Sequence, residues 1–429
     1  MHYQRRLAFS LFALLVLART QCATAQFYQY TTTVRGTLMW VPPGLQTVKG
    51  IVVWGNGAGG DDRSAAWAPW LQQFAQLHDF ALIGTSMWGN LSGSEIGVWD
   101  SHIVSLASQS GHPELVNAPL APIGFSNGGQ MSYGFNALRP EKTIAFVTNK
   151  GCCYNNTLPS TAALNTPGIL IAGELDTSTR RDNIRNLFNN NRARGALWSW
   201  VEQEGVAHAG LAQELMIPFM DEAIRLRYPA NQVPTATSGV TLLNVDPASG
   251  WLADQSTWQS GLTQIASYSA YAGNKQTAGW LLNENVASMY RAFSTYDHDV
   301  RLSFVDTLAP EFPEVNYGFT SRDLKLQLDL SGAAGWTKIE LFNGAQSLLQ
   351  LSPSGISQSL LNLDVPILRS GVFGLSALVT HADGHTLSTT NLLVFTAVPE
   401  PGALVMTLLA AIMPTLSMRS FARRRSAWR

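Results

Sequence analysis

The sequence predicts an α/β protein with a doubly wound, mostly parallel sheet, followed by a C-terminal all-β sandwich. The first prediction rests on a strand-helix rhythm from Thr31 to Tyr228, where short apolar runs alternate with longer helical patterns. The second rests on short, evenly spaced strand patterns between Val300 and Phe395. A chain of 429 residues is long enough for two or three such units.

Composition argues against one class of partner. The formal net charge is −1 and 13% of the residues are charged, without a basic run inside the chain. A protein that binds nucleic acid electrostatically needs a concentrated positive patch. We therefore expect no nucleic-acid partner and a largely neutral partner instead.

Residues 1–25 have the features of a secretory signal peptide. Two arginines precede an apolar run over residues 7–17, and residues 23–25 form the small-residue pattern that precedes a cleavage site. An uncleaved membrane anchor is the alternative, but the apolar run is too short to span a bilayer. We expect an exported protein whose mature chain begins near Gln26 and lacks Cys22.

Six apolar runs of strand length, most of them followed by a helical pattern, define a predicted domain over residues 26–230. In chain order the runs are GIVVWG, FALIGTSM, LAPIGF, TIAFVTN, GILIAGELD and LWSWVEQ. Near-continuous apolar strands are typical of a parallel sheet that helices cover on both faces. Ligands of such sheets bind beyond the carboxyl ends of the strands, so we expect the reactive residues there.

A Gly-x-Ser-x-Gly run centred on Ser126 stands at the end of the predicted strand LAPIGF. Its glycines permit a tight turn that presents a serine at the start of a helix. Asp176 and His208 follow two later predicted strands. A serine hydroxyl becomes an effective nucleophile when an imidazole accepts its proton and a carboxylate orients that imidazole.

This turn and the chain order Ser, Asp, His resemble the α/β-hydrolase family over about residues 30 to 230. The resemblance implies that Ser126 is the nucleophile, His208 the general base and Asp176 the residue that orients His208. Two features depart from the family pattern. Asn56 stands where a histidine is expected, and Pro122 interrupts the strand before the serine.

Three carboxylates, Glu174, Asp176 and Asp182, compete for the role of the orienting acid. Asp182 stands three residues after Thr179, so we expect it to be a capping-box partner in a first helical turn. Glu174 directly follows the glycine at the strand end. The family resemblance places the acid at Asp176, on a loop beyond that glycine.

The glycine-rich run GNGAGG, residues 55–60, follows an early predicted strand. It resembles the His-Gly-x motif of the same family, which implies that the backbone N–H groups of Ala58 and Asn127 form the oxyanion hole. A P-loop is excluded because no Gly-Lys-Ser/Thr follows. A dinucleotide loop remains an alternative because three glycines have the Gly-x-Gly-x-x-Gly spacing, although no acidic residue ends the next strand.

The short spacing between the three candidate catalytic residues leaves no room for a large inserted lid. We therefore expect an open site, which suits a bulky or polymeric ester. Trp88 and Trp99 lie after an early strand and are candidates for stacking on such a substrate. Packing in the core is the alternative for both tryptophans.

Cys152 and Cys153 are adjacent and are the only cysteines of the expected mature chain. In an oxidising compartment they can form a vicinal disulfide or remain two small buried thiols, and both alternatives stay open. Neither has the spacing of a zinc site. We expect neither a metal ion nor an organic cofactor.

Residues 231–298 break the strand-helix rhythm. The segment follows a linker rich in Pro and Thr, contains several tryptophans and ends in an amphipathic helix near Phe293. It can be an extension on the substrate side or an additional layer docked on the first domain. We expect the docked layer.

Residues 299–396 alternate with period two, and Asn-Gly at 343–344 and Asp-Gly at 383–384 mark hairpin turns. The stretches IELFNGAQSLLQ and FGLSALVTHADGHTLST resemble bacterial immunoglobulin-like modules. The resemblance implies an antiparallel sandwich that acts as a spacer, with carbohydrate binding as the alternative.

Residues 397–429 contain Pro-Glu-Pro, a short apolar segment and a cluster of arginines, in that order. They resemble the PEP-CTERM sorting signal of Gram-negative bacteria. The resemblance implies recognition by the envelope sorting machinery and a final location at the cell envelope, at the outer surface or outside the cell. A plain hydrophobic tail with a positive flank is the alternative.

Together these features predict an exported serine hydrolase that cleaves carboxylic esters, including esters linked to a polysaccharide or a polyester. An exopeptidase or a lipase-like enzyme would use the same three residues. A surface-attached binding or adhesion protein built on a hydrolase scaffold is the non-enzymatic alternative. The sequence indicates neither the acyl and alcohol specificity nor the oligomeric state.

Overall fold

The computed structural model describes residues 26–31, 36–59, 61–87, 89–154, 159–258, 261–295, 299–305, 317–320, 324–331, 335–352, 359–365 and 371–396. The predicted signal peptide and the predicted sorting tail lie outside the described residues. Contacts divide the chain into two compact units. The first contains the residues up to Ala209 together with Glu222–Pro247, and the second contains Gly210–Asp221 and the residues from Ala248 onward.

Among the residues that the structure describes, eight strands form the sheet of the first unit. They are β1 (Gln26–Thr31), β2 (Gly36–Val41), β3 (Gly50–Gly55), β4 (Phe80–Thr85), β5 (Leu120–Phe125), β6 (Phe146–Asn149), β7 (Gly168–Gly173) and β8 (Trp198–Gln203). Their order in the sheet is β1-β2-β4-β3-β5-β6-β7-β8. β2 pairs antiparallel with both β1 and β4, and all other pairs are parallel. This mixed sheet fits the α/β-hydrolase fold and agrees with the predicted mostly parallel arrangement.

Helices accompany the sheet of the first unit. They are α1 (Pro69–Leu77), α2 (Gly93–Ser110), α3 (Asn127–Leu138), α4 (Thr161–Leu164), α5 (Ser178–Arg192) and α6 (Gln213–Arg227), with 3₁₀ turns at Asp62–Trp67 and Pro113–Asn117. α6 crosses the division between the two units. Among the described residues, no helix is both long enough and apolar enough to cross a membrane.

The strands at the centre of the sheet are apolar because both of their faces are covered. β3, β4 and β7 are buried at every position, as expected for parallel strands between two helical layers. One core cluster joins the sheet to α2 and α3 through residues such as Val53, Ile83 and Phe135. This packing fixes the carboxyl ends of the strands, where the candidate site lies.

The linker after α6 is held on the first unit by specific hydrogen bonds. The Asn117 side chain donates to the Thr235 carbonyl at 3.0 Å, and Arg227 Nε donates to the Leu243 carbonyl at 3.1 Å. Arg227 Nη1 also donates to the Thr143 carbonyl at 2.8 Å. Burial lowers the pKa of Arg227 to about 10. These contacts agree with the grouping of Glu222–Pro247 with the first unit, whereas the sequence suggests a boundary at residue 230.

The second unit begins with a small sheet and a helix. β9 (Trp251–Ala253) pairs antiparallel with β10 (Ile265–Ser267) and β11 (Gly279–Leu281), and α7 spans Glu284–Ser294. The predicted amphipathic helix near Phe293 is therefore present. Contacts group this part with the C-terminal strands. Its docking on the first domain stays a prediction.

Two further sheets complete the second unit. Their strands are β12 (Arg301–Phe304), β13 (Tyr317–Thr320), β14 (Leu324–Asp329), β15 (Trp336–Asn343), β16 (Gln346–Leu351), β17 (Leu360–Val365), β18 (Gly371–His381), β19 (Thr386–Ser388) and β20 (Leu392–Thr396). One sheet has the order β12-β14-β17 and the other β13-β20-β18-β15-β16, with β19 on β18. β13 and β20 are parallel, and the remaining pairs of these two sheets are antiparallel.

The two sheets share one apolar core. Leu326 and Leu328 from the first sheet belong to the same buried cluster as Ile339, Leu375 and Val394 from the second. The predicted turns lie where the hairpins reverse, with positive φ values of 56° at Gly344 and 89° at Gly384. An all-β unit is therefore present, and its immunoglobulin-like character stays a proposal.

Candidate active site

Ser126 occupies a sharp turn between β5 and α3. Its φ of 54° and ψ of −121° lie in a region that residues with a side chain rarely adopt. The Ser126 N–H donates to the Asn149 carbonyl at the end of β6, at 2.8 Å. The strained turn thus places the hydroxyl of Ser126 at the carboxyl edge of the sheet.

Two glycines make the turn possible through close backbone contacts. A Cβ atom on Gly124 would lie 1.9 Å from the Gly128 carbonyl oxygen, and a Cβ on Gly128 would lie 1.9 Å from the Gly55 oxygen. The Gly128 N–H donates to the Asn56 carbonyl at 2.7 Å. The Gly-x-Ser-x-Gly pattern therefore reflects three backbone segments that touch without side chains between them.

Ser126, His208 and Asp176 form one continuous hydrogen-bonded series. His208 Nε2 lies 2.9 Å from Ser126 Oγ, and His208 Nδ1 lies 2.7 Å from Asp176 Oδ2. Asp176 follows β7 and His208 follows β8, so parallel neighbours bring residues distant in the sequence to one edge. All three lie in the first unit. This is the geometry that general-base activation of a serine requires.

Asp176 is buried, and hydrogen bonds from neighbouring groups stabilise its negative charge. Its side chain is 2% exposed, and its Oδ1 accepts the Thr177 N–H at 2.7 Å. Arg180 Nη1 lies 3.3 Å from the same oxygen. Burial raises the pKa of the Asp176 carboxyl, but the hydrogen bonds from His208, Thr177 and Arg180 outweigh burial and hold the pKa below its usual value.

The other two carboxylates considered for this role lie elsewhere. Glu174 accepts the Gly205 N–H at 2.8 Å, which ties the loop after β7 to the loop after β8. Asp182 pairs with Arg185 on the surface of α5. The expectation of a capping-box role for Asp182 is wrong, because α5 begins at Ser178 and places Asp182 beyond the first turn.

The loop after β3 lies against the nucleophile turn. A Cβ on Gly57 would be 3.8 Å from Ser126 Oγ. The Asn56 N–H donates to Asp62 Oδ2 at 2.7 Å, which anchors the loop to the 3₁₀ turn that follows it. Asn127 is the first residue of α3, and Ala58 is exposed in the loop. The oxyanion role of the Ala58 and Asn127 N–H groups stays a prediction.

Of the two tryptophans considered for substrate contact, one can be placed. Trp99 is 3% exposed and packs edge-to-face against Phe135 at a centroid distance of 5.0 Å. It faces the core because it belongs to the apolar stripe of α2. Of the two alternatives considered for Trp99, core packing is therefore the one that the structure supports, and Trp99 is not a substrate contact. Trp88 lies outside the described residues.

Sequence reasoning missed three polar residues that hold the site in place. Asp62 anchors the loop after β3, and Arg180 contacts Asp176 from the first turn of α5. Lys150 is fully buried, and its Nζ donates to Gln203 Oε1 at 2.6 Å at the end of β8. Only Arg180 has a sequence signal, because it lies four residues after Asp176 and is close enough along the chain to pair with it.

The two adjacent cysteines form a vicinal disulfide, which settles the alternatives that the sequence left open. Cys152 is half-buried and Cys153 is exposed, on the loop that follows β6. Among the residues that the structure describes, no group of three or more His, Cys, Asp or Glu side chains is placed to hold a metal ion.

Comparisons with known proteins give likenesses at low identity. No family model and no curated protein matches this chain. A carboxylesterase from Mesorhizobium loti is similar at 14% identity over 43% of this chain and 92% of that chain, with a TM-score of 0.33. A putative dienelactone hydrolase from Klebsiella pneumoniae subsp. pneumoniae is similar at 17% identity over 44% of this chain and 89% of that chain, with a TM-score of 0.32.

A third similar structure is that of the fibronectin(III)-like modules of CbhA from Clostridium thermocellum. It has 14% identity over 23% of this chain and 97% of that chain, with a TM-score of 0.18. The function of this chain is therefore argued from the geometry of its own site.

Proposed function

We propose that this protein is a serine hydrolase that cleaves carboxylic esters through a covalent acyl-enzyme. The observation that carries the proposal is the hydrogen-bonded series Ser126, His208 and Asp176 at the carboxyl edge of the sheet. Each part has a defined chemical role. The strained turn presents the nucleophilic hydroxyl, the histidine within reach of that hydroxyl accepts its proton, and the buried ionised carboxylate orients the histidine.

In the proposed acylation step, Ser126 Oγ attacks the ester carbonyl while His208 Nε2 accepts the hydroxyl proton. Asp176 stabilises the imidazolium that forms and holds the Nδ1–H tautomer in place. His208 then gives the proton to the departing alcohol. In the second half of the reaction, water repeats the attack on the acyl-serine with the same base, and the acid product leaves.

The negative charge on the tetrahedral intermediate needs backbone donors near Ser126. We propose the N–H groups of Asn127 and Ala58 for this role. The approach of Gly57 to Ser126 Oγ supports an oxyanion loop, because it brings the backbone of this loop close to the atom that would attack the ester.

Apolar groups near Asp176 and His208 support an ester with an apolar acyl or alcohol group. Leu175, next to Asp176, is 62% exposed, the largest value among the exposed large apolar side chains of the described residues. Its N–H donates to the Val206 carbonyl, so it is fixed between the loops that carry the acid and the base. The Phe125 ring lies 5.3 Å from the His208 ring. Polyester-linked and polysaccharide-linked esters are the bulky members of this substrate class.

We further propose that the protein is exported and sorted to the cell envelope of a Gram-negative bacterium, with the C-terminal sandwich as an immunoglobulin-like spacer. The supporting features are the signal-peptide pattern of residues 1–25 and the sorting pattern of residues 397–429. We propose no nucleic-acid partner, no metal ion and no organic cofactor.

A fluorophosphonate probe tests the proposed function directly. The purified protein should be labelled, and Ser126→Ala should abolish labelling and lower ester turnover by at least about 10³-fold without loss of folding. Full activity of the Ser126→Ala variant would refute the nucleophile. Absence of labelling in a well-folded sample would favour a binding protein on a hydrolase scaffold.

A substrate panel then separates the enzymatic alternatives. Nitrophenyl esters of increasing acyl length, acetylated sugars, feruloyl esters and polyesters should include the best substrates. Faster cleavage of amino-terminal peptide bonds would indicate an exopeptidase, and a preference for long-chain glycerides would indicate a lipase.

A further inference from the structure

The loop of the vicinal disulfide lies at a junction of the candidate site. The Cys153 carbonyl accepts two side-chain hydrogen bonds, from Asn90 Nδ2 at 2.7 Å and from Gln130 Nε2 at 3.0 Å. Asn90 lies between β4 and α2, and Gln130 lies in the first turn of α3, the helix that directly follows Ser126. One carbonyl thus connects two elements that border the nucleophile.

The rest of the same loop also packs on the nucleophile turn. A Cβ on Gly129 would lie 3.2 Å from Gly151 Cα, so the backbones of α3 and the loop are in close contact. The Tyr154 N–H donates to Asn183 Oδ1 on α5, the helix that follows Asp176, at 3.3 Å. The loop therefore contacts both the helix of the candidate nucleophile and the helix after the candidate acid.

The disulfide restrains φ of Cys153, the backbone torsion that leads to the Cys153 carbonyl. Bonding between adjacent cysteines closes a ring that contains the peptide bond between them. Cys153 has a φ of 57°, in the left-handed region that residues with a Cβ avoid. Opening the ring would free Cys153 to leave this region, and its carbonyl would then move away from Gln130.

The bond contributes little by restricting the unfolded chain. The stabilisation that a disulfide gives through chain entropy increases with the length of the loop that it closes. Cys152 and Cys153 are separated by one position in the sequence, so this loop is the shortest possible. The effect of the bond must therefore lie in the local shape of the folded site.

We infer that the Cys152–Cys153 disulfide is a positioning element of the active site, and that its reduction reversibly lowers turnover by releasing Gln130 and the nucleophile helix. The inference rests on the proposed ester hydrolase function. In the reduction, a dithiol attacks one sulfur of the disulfide and displaces the other as a thiolate, which takes up a proton. The second thiol of the reagent then resolves the mixed disulfide, so two electrons reach the cysteines and the reagent ends as a disulfide.

The first test compares the oxidised and reduced full-length protein on a soluble nitrophenyl ester. Reduction by dithiothreitol should lower kcat about tenfold with KM within about twofold, because a shift of the nucleophile affects the chemical step more than binding. Reoxidation should restore kcat. A double variant, Cys152→Ser with Cys153→Ser, should have the low kcat from the start and should not respond to dithiothreitol.

The second test separates positioning from general support of the fold. Gln130→Met removes the donor to Cys153 and keeps the disulfide, and it should lower kcat about as much as reduction does. Combining Gln130→Met with the double serine variant should lower kcat no further, because both changes break the same connection. The melting temperature of the double serine variant should stay within about 2 °C of wild type.

Four results would overturn the inference. Thiol titration could find two free thiols in the protein as isolated. The fully reduced protein could keep its kcat, or the effects of Gln130→Met and the double serine variant could multiply. If the untreated wild type were not labelled by the fluorophosphonate probe, the proposed hydrolase function would be refuted, and the inference that rests on it would fall with it. Equal labelling rates before and after reduction would refute only the role of the disulfide.

Discussion

Asp176 uses its two carboxylate oxygens for different contacts. Oδ2 faces His208 Nδ1, and Oδ1 accepts the Thr177 N–H with Arg180 nearby. An amide at this position keeps one acceptor, which the Thr177 N–H would retain, and offers an NH₂ group to His208. Nδ1 of the histidine would then be the acceptor that faces the amide, and the ring proton would be on Nε2. A protonated Nε2 cannot accept the Ser126 hydroxyl proton.

Asp176→Asn should therefore keep the fold and lower kcat by about 10⁴-fold, because His208 is left in the wrong tautomer. The measurement is kcat/KM on a soluble ester, with the far-UV spectrum and the melting temperature as folding controls.

Glu174→Gln and Asp182→Asn are the matched controls. The amide introduced by Glu174→Gln would still offer an oxygen to the Gly205 N–H, and the Asp182–Arg185 pair is solvent-exposed and worth little. Both variants should stay within about tenfold of wild-type turnover. A severe loss in Glu174→Gln with a mild one in Asp176→Asn would move the acid two positions along the loop.

Sequence patterns singled out Ser126, Asp176 and His208, which the structure brings together, because each follows a recognisable apolar strand. They did not locate Asp62 or Lys150, whose contacts depend on how loops and strands pack in space. Trp99 is a second case in which the local sequence did not determine the contacts of a side chain. Its position after a strand suggested substrate contact, while the helical stripe that contains it decides that it is buried.

Among the elements, the loop after β3 depends on one buried carboxylate. Asp62 is 3% exposed, and its Oδ2 accepts the Asn56 N–H. Burial raises the pKa of Asp62, and the hydrogen bonds from Asn56 oppose this effect. The loop contacts Ser126 through Gly57, so its anchor affects the proposed oxyanion site.

Asp62→Ala should lower kcat about tenfold, because it releases this loop from its anchor. It should also lower the free energy of unfolding by about 1–3 kcal/mol, since the Asn56 N–H loses its acceptor. Asp62→Asn keeps an oxygen acceptor and should recover most of both losses. Ester turnover and urea denaturation are the measurements.

The neighbouring residue provides the control. Asp61 pairs with Arg63 at the surface, so Asp61→Ala should change the free energy of unfolding by at most about 1 kcal/mol. If Asp61→Ala were as damaging as Asp62→Ala, the anchoring role of Asp62 would be wrong.

Element types were more predictable than their boundaries. Continuous apolar runs identified β3 to β8, and turn residues identified the C-terminal hairpins. The start of α5 was misjudged because Thr179 resembles a capping residue, whereas the helix begins at Ser178 after Thr177. The antiparallel pairing of β2 with β4 has no sequence signal, because pairing depends on contacts between distant segments.

At the scale of the whole molecule, all three candidate catalytic residues and the linker up to Pro247 belong to the first unit. A chain ending at Pro247 should hydrolyse small soluble esters within about fivefold of the full-length rate, because compact units of this size fold on their own. The same truncation with Ser126→Ala is the blank.

A truncated protein that folds but is inactive on small esters would mean that the second unit contributes to the site. Failure to fold would mean that residues 210–221, which group with the second unit, require it. Either result would contradict the independence of the first unit.

The order of an α/β unit followed by an all-β unit was predictable, because the hydrophobic rhythm changes between them. The division at Pro247 was not. The composition of residues 229–239 is typical of a free linker, while the hydrogen bonds from Asn117 and Arg227 that hold the linker come from distant parts of the chain.

The glycines around Ser126 also determine how this protein can be evolved in the laboratory. Every amino acid other than glycine adds a Cβ, and at Gly124 and Gly128 that atom would lie 1.9 Å from a backbone oxygen. No amino-acid substitution at either position can yield an active variant unless the backbone itself moves. Random mutagenesis screened for new ester preferences should return silent changes at these two codons, while the exposed Leu175 codon diversifies freely.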